Sequence, residues 1–244
     1  MEPSEYLAIF RREAAALADT PPAALDAAVP GCPDWNVAQL IGHTGWVYHF
    51  VGAVLAADGE RPDRKTVPNG PEGESVLGWF RDAFAQLDAT FDALDPTAGP
   101  YFAFNGPEPA AWWMRRMAHE TAMHAWDARS ALGAAAPFDA ALAADGIDEA
   151  FEVMMPRRFD HGSFAEGTTA HLHASDHEGG EWFVSFGGDR AGYRWEHGHR
   201  KGDVAVRGPV SDLLLWCYGR VPTASLDVVG DEALAGRIQA AMTF

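Results

Sequence analysis

Arg115-Arg116-Met117-Ala118-His119-Glu120-Thr121-Ala122-Met123-His124-Ala125-Trp126-Asp127-Ala128-Arg129 contains neither Gly nor Pro, and its Ala, Met and Arg favour a helix. At about 100° per residue, Glu120 and His124 stand one turn apart on one face, with Trp113, Met117 and Asp127 within about 60° of that direction. Arg115 and Arg129 point the other way, towards water. A carboxylate and an imidazole therefore share a stripe with a Trp and a Met, residues that belong against a core. Burying a charge without a partner is costly. A divalent cation would meet that cost economically; a direct Glu–His hydrogen bond is the other solution, and helix geometry alone leaves both open. The spacing is not that of the zincin motif, which sets two His at i and i+4 around a Glu. His119 lies five residues from His124, roughly 140° around the helix, and cannot share an ion with it.

Upstream of this helix the chain reads as three more. Residues 72 to 94 carry an apolar stripe of Val76, Trp79, Phe80, Phe84, Leu87, Phe91 and Leu94. Before a polar connection at residues 58 to 71, Asn36 and Gln39 resemble a capping box that opens a helix to about Ala57. On that helix His43 lines up with Leu40, Val47, Phe50 and Val54. His49 lies on the other side with Gly42, Gly45, Gly52, Ala53 and Ala56, a face of small residues that predicts close packing against a neighbour. Residues 3 to 19 form the first helix, stopped by Pro21-Pro22. Four long amphipathic helices imply an up-and-down bundle, and such bundles hold metals between facing helices. A shorter helix, about Phe138 to Met155, closes the region.

After Pro156-Arg157-Arg158 the texture changes. Thr168 to Ala174, Glu181 to Phe186 and Tyr193 to Glu196 alternate in polarity between Gly-rich breaks, as antiparallel strands joined by hairpins do. Val204 to Val206 reads as another strand, leading to helices near 210–218 and 231–242. The expected fold is α+β: a helical bundle over residues 1–160, then a small α+β domain with an antiparallel sheet over residues 161–244.

The chain has 244 residues, 48% hydrophobic and 22% charged, with 18 basic against 35 acidic side chains and a net charge of −17. That balance suits a globular protein and argues against nucleic acid and anionic membrane surfaces as partners. An anionic ligand would need a local Arg. Cys32 and Cys217 make neither a disulfide framework nor a CxxC site, and no signal peptide or membrane span is legible. A cytoplasmic protein, monomeric or weakly dimeric, is expected.

Glu120 and His124 leave a catalytic zinc one protein ligand short of the usual three. His43 is the candidate, because it projects from the large-apolar face of its helix; His49 is weaker by direction. A lone His on an apolar face is more often a satisfied core residue, and only the need of Glu120 and His124 reverses that balance. His171 and His173 share a strand face, with His177 nearby and His197 and His199 in a turn. These could bind a metal, but exposed strand and loop histidines are the better reading. Neither a phosphate-cradling Gly loop nor a serine elbow is present.

Taken together, Pro30-Gly31, Trp35-Asn36-Val37-Ala38-Gln39-Leu40 and His43 resemble the opening signature of the DinB-like, mycothiol-dependent maleylpyruvate isomerase family. Residues 116–128 are similar to its second signature, and Asp145-Gly146-Ile147-Asp148-Glu149 to a third. Val206-Arg207-Gly208-Pro209 through Gly219-Arg220, with Gly230-Asp231, resembles its small second domain. Asn36 stands where the family usually has Thr, and Cys32 interrupts the first signature. The resemblance implies a divalent metal, zinc first among candidates, held by His43, Glu120 and His124. It also implies mycothiol, a thiol of actinobacterial cytoplasm, as cofactor. A metal-coordinated thiol is deprotonated and would attack a small electrophilic substrate. Isomerase and S-transferase outcomes both remain open. Asp127 would support His124 or bind cofactor hydroxyls; Arg220 would hold a substrate or cofactor carboxylate. Two other classes stay open: a hydrolase using a metal-bound water, and a non-catalytic protein enclosing a ligand among Trp112, Trp113, Trp126, Trp182 and Trp216.

Overall fold

Four long helices occupy the first half of the chain: α1 (Pro3–Ala18), α2 (Val37–Ala56), α3 (Ser75–Ala93) and α4 (Ala110–Ala131). The structure, a computed structural model, describes residues 1–57, 59–158, 164–187 and 192–243. The capping box at α2 is real. Asn36 Oδ1 accepts from the Gln39 amide and Gln39 Oε1 accepts from the Asn36 amide, both at 2.9 Å, which satisfies two orphan donors of the first turn. α1 packs on α4 and α3, and α2 packs on α3 and α4, so the four stand in a ring with α2 and α4 adjacent. Phe10, Tyr48, Phe80 and Phe91 fill its centre, each at most 1% exposed. Each such side chain contributes about 1.5–3 kcal/mol through burial.

The small face of α2 packs closely, as its composition requires. A Cβ on Gly45 would lie 2.4 Å from the Trp79 ring of α3, which also stands 5.1 Å from the His49 ring. On the side of α2 nearer α4, the Tyr48 hydroxyl and Thr121 Oγ1 meet at 2.7 Å, both buried. That bond fixes the register of α2 against α4 about one turn from His43 and next to Glu120.

The chain divides into two compact units, Met1–Ala136 and Pro137–Phe244. In the second, α5 (Ala140–Glu149) is capped by Asp139 and continues through a π-helical turn (Ala150–Met154) into α6 (Met155–Arg158). Five strands follow in the order β3-β2-β1-β4-β5: β1 (Thr169–Ala174), β2 (Glu181–Phe186), β3 (Tyr193–His197), β4 (Val204–Gly208) and β5 (Asp227–Gly230). α7 (Val210–Cys217) and α8 (Glu232–Met242) complete the unit. Alternation divides the sheet. Ala170, Leu172, Trp182, Val184, Val204 and Val206 are buried, and α7 packs on β1 and β4. His171, His173, Glu181 and Ala205 belong to the opposite face.

Three expectations change. The division falls between Ala136 and Pro137 rather than near residue 160, because α5 packs on α7 and so joins the second unit. The sheet is not wholly antiparallel: β1 pairs β4 in parallel, Leu172 opposite Val206. β5 is an additional strand, antiparallel to β4. No helix among the described residues is long and apolar enough to cross a membrane.

Candidate metal centre

Glu120 and His124 project from α4 and His43 from the adjacent α2, and their donor atoms converge within 4.8 Å of one another. Glu120 is the hub, and its two oxygens are divided. Arg116, one turn earlier on α4 and buried, donates through Nη2 to Oε2. The other oxygen, Oε1, faces His43 Nε2 at 3.4 Å and His124 Nε2 at 3.3 Å. Ligand atoms around a tetrahedral zinc, each about 2.1 Å from the ion, stand about 3.4 Å apart. Both separations from Oε1 are close to that spacing, and the two-imidazole, one-carboxylate chemistry suits zinc and its neighbours.

Arg116 alters the charge argument. A guanidinium beside Glu120 already compensates its burial, so charge alone does not require an ion. What remains is the shared aim of two imidazole nitrogens at one oxygen. The electrostatics agree with that arrangement. Burial opposes ionisation of Glu120, yet Arg116, then His124 and His43, hold its pKa well below the usual carboxylate range. Burial likewise disfavours the charged imidazole of His124, but Asp127 and Glu120 outweigh it and push its pKa up to about 9.

Asp127 is fully buried, and its Oδ2 lies 3.2 Å from His124 Nδ1. A carboxylate holding the second nitrogen of a ligating His fixes the ring and its tautomer. Cys32 Sγ, 3.9 Å away, donates to the same Oδ2. The loop carrying Cys32 is ordered by its own backbone, with the Trp35 amide donating to the Cys32 carbonyl at 2.8 Å. This sets the Trp35 ring 4.8 Å from that of His43 and 6.2 Å from that of His124.

His43 is about one-third exposed and forms part of the wall of a cleft of about 720 Å³. Trp35, Trp46, Asn36, Arg64 and Asn69 are among its other walls. Its volume falls within the range usual for a small-molecule site, about 300–1,000 Å³.

The other candidates are placed as follows. His49 lies against Trp79 and His119 packs edge-on to Tyr6, both away from the cluster. Arg220 follows α7 in the second unit, half-buried, and its Nη1 donates to the Tyr218 carbonyl at 2.8 Å. Trp113, Trp182 and Trp216 are at most 1% exposed and are core residues. Sequence reasoning missed Arg116 and Trp35. The first was legible, since residues 116, 120 and 124 repeat every four positions; the second depends on how a loop folds back.

The sequence matches the family model of the mycothiol maleylpyruvate isomerase N-terminal domain over residues 6–129 and that of the MDMPI C-terminal domain over residues 141–237. Among solved structures it resembles the mycothiol-dependent maleylpyruvate isomerase, at a TM-score of 0.61 and 14% identity over 93% of both chains. A histidine-to-alanine mutant of that enzyme is matched at a TM-score of 0.66, again at 14% identity and 93% of both chains. At that identity the likeness shows the fold. No curated protein sequence matches significantly.

Proposed function

The chain belongs to the mycothiol maleylpyruvate isomerase family of enzymes, and on that premise we propose that it is a metal-dependent, mycothiol-using isomerase or S-transferase. The observation that carries this reading is the convergence of His43 Nε2 and His124 Nε2 on Glu120 Oε1 beside an open cleft. His43, Glu120 and His124 would hold the ion, with zinc the expected metal. When bound, it supplies a Lewis acid that keeps the thiol sulfur of mycothiol anionic near neutral pH, ready for an electrophilic carbon.

The chain's own residues prepare that chemistry. Arg116 keeps Glu120 ionised and takes one of its oxygens, which leaves Oε1 for the metal. Asp127 holds Nδ1 of His124, so that Nε2 faces inward. Trp35 covers the His43 ring and restricts water on that side. Asn36 and Asn69 line the cleft with groups able to hydrogen-bond a polyhydroxylated thiol. Arg220 is the proposed anchor for a carboxylate on the substrate or cofactor, the bidentate role a guanidinium suits best.

Isothermal titration with mycothiol tests this. Binding should require zinc and should disappear after chelation and in His43→Ala. Binding that ignores both changes would remove the proposal. Turnover of esters or amides with no thiol present would instead favour the hydrolase reading.

A further inference from the structure

The second unit holds another convergence of donors, and it shares no residue with the first. His171 and His173 lie two apart on β1, on the face of the sheet away from α7. Glu181 opens β2 directly opposite His173. His199 reaches in from the connection between β3 and β4. One ring nitrogen from each His and one carboxylate oxygen lie within 4.8 Å of one another. His171 Nε2 meets Glu181 Oε2, while Nδ1 of His173 and of His199 lie 2.6 and 3.2 Å from Oε1. The three rings stand 4.9–5.9 Å apart, centre to centre. His171, His173 and His199 also form part of the wall of a separate cleft of about 430 Å³.

We propose that His171, His173, Glu181 and His199 form a second binding site for a divalent transition-metal cation. Three imidazoles and a carboxylate are a donor set for zinc, cobalt or nickel rather than for magnesium or calcium, which prefer all-oxygen surroundings. Without a cation, three imidazoles crowd one carboxylate, and its single negative charge can balance only one imidazolium. A cation satisfies all four lone pairs together. Donors around a tetrahedral zinc are about 3.4 Å apart, so the shorter contacts need only open slightly. His199 already stands near that spacing at 3.2 Å, and His173, whose side chain is 25% exposed, is free to make the adjustment. The occupied site ties β1, β2 and the β3–β4 connection together at one point. Spacing alone places His171 and His173 on one strand face; strand pairing and the return of residue 199, neither visible in spacing, add Glu181 and His199.

The test uses the full-length protein, stripped with a chelator and titrated with Co²⁺ by visible absorption and Zn²⁺ by calorimetry. The wild type should take up two equivalents. His43→Ala should keep one, and the double variant His173→Ala/His199→Ala should keep the other, with at least tenfold loss at the second site. A single wild-type equivalent that the double variant retains, or two equivalents in the double variant, would overturn the proposal. The outcome at His43 is read separately, so failure of either site leaves the other's result intact. Should the double variant misfold, chemical modification of His199 by diethyl pyrocarbonate in the His43→Ala protein decides. Protection by Zn²⁺ supports the site; equal modification with and without Zn²⁺ refutes it.

Discussion

Asp127 and Glu120 grip the His124 ring from opposite sides: Oδ2 of Asp127 lies 3.2 Å from Nδ1, and Oε1 of Glu120 lies 3.3 Å from Nε2. The second nitrogen is thereby committed, and the first is aimed inward. Replacing Asp127 with Asn keeps the shape and removes the charge. Zinc affinity at this site should fall about 10–100-fold, the usual effect of losing a supporting carboxylate. Competition with a chromophoric chelator measures it, with circular dichroism checking that the bundle is intact.

The raised pKa of His124, about 9 against the usual 6.5, gives a definite sign to pH effects. A metal takes the neutral imidazole, so between about pH 6.5 and 9 binding displaces one proton and zinc affinity should climb about tenfold per pH unit. Stability of the stripped protein runs the other way. The contribution of His124 is fully present below the unfolded value and is lost as pH rises through about 9. Thermal melts of chelator-treated wild type and His124→Gln across this range should show the variant losing less.

Two glycines on α2 should respond oppositely to alanine. Gly52 has open space where a Cβ would stand, and Gly52→Ala should stabilise by about 0.5–1 kcal/mol through helix propensity. Gly45→Ala drives a methyl into the Trp79 ring. Overpacking of about 1–3 kcal/mol should outweigh the same gain in propensity. Urea midpoints of the two variants test the pair.

Tyr48→Phe leaves Thr121 Oγ1 buried without its 2.7 Å partner. A loss of about 1–3 kcal/mol is expected, the cost of an unsatisfied buried hydroxyl. Adding Thr121→Val should recover part of it, which a denaturation double-mutant cycle would show.

If Arg220 anchors a carboxylate, Arg220→Ala should raise KM for a carboxylate substrate at least tenfold, while zinc content stays unchanged. Arg220→Lys should recover only part, because an ammonium lacks the planar fork. Steady-state kinetics beside metal analysis separates this from a folding defect.

Much of the bundle was legible because helices are written locally. The Asn36–Gln39 cap, the apolar stripe of α3 and the common face of Glu120 and His124 each depend on residues a turn or less apart. His43 needed one more inference, that large apolar side chains mark the inward face. What escaped was non-local. β5 is four residues long, with two valines, too short for alternation to register. The pairing of β1 with β4 is invisible because a period of two reports which face a residue occupies and not which strand lies beside it. The unit boundary was misplaced because the change from helix to strand near residue 160 is a change of local structure. Leu142, Ala143 and Ile147 of α5 are buried within the later unit.

That parallel pairing also orders events during synthesis. β1, β2 and β3 can assemble as a meander as soon as they emerge, yet one flank of β1 stays bare until Val204–Gly208 arrives to cover it. A nascent or truncated chain ending before Val204 therefore presents a row of unsatisfied amides and carbonyls along a strand built to lie inside a sheet, a template for self-association.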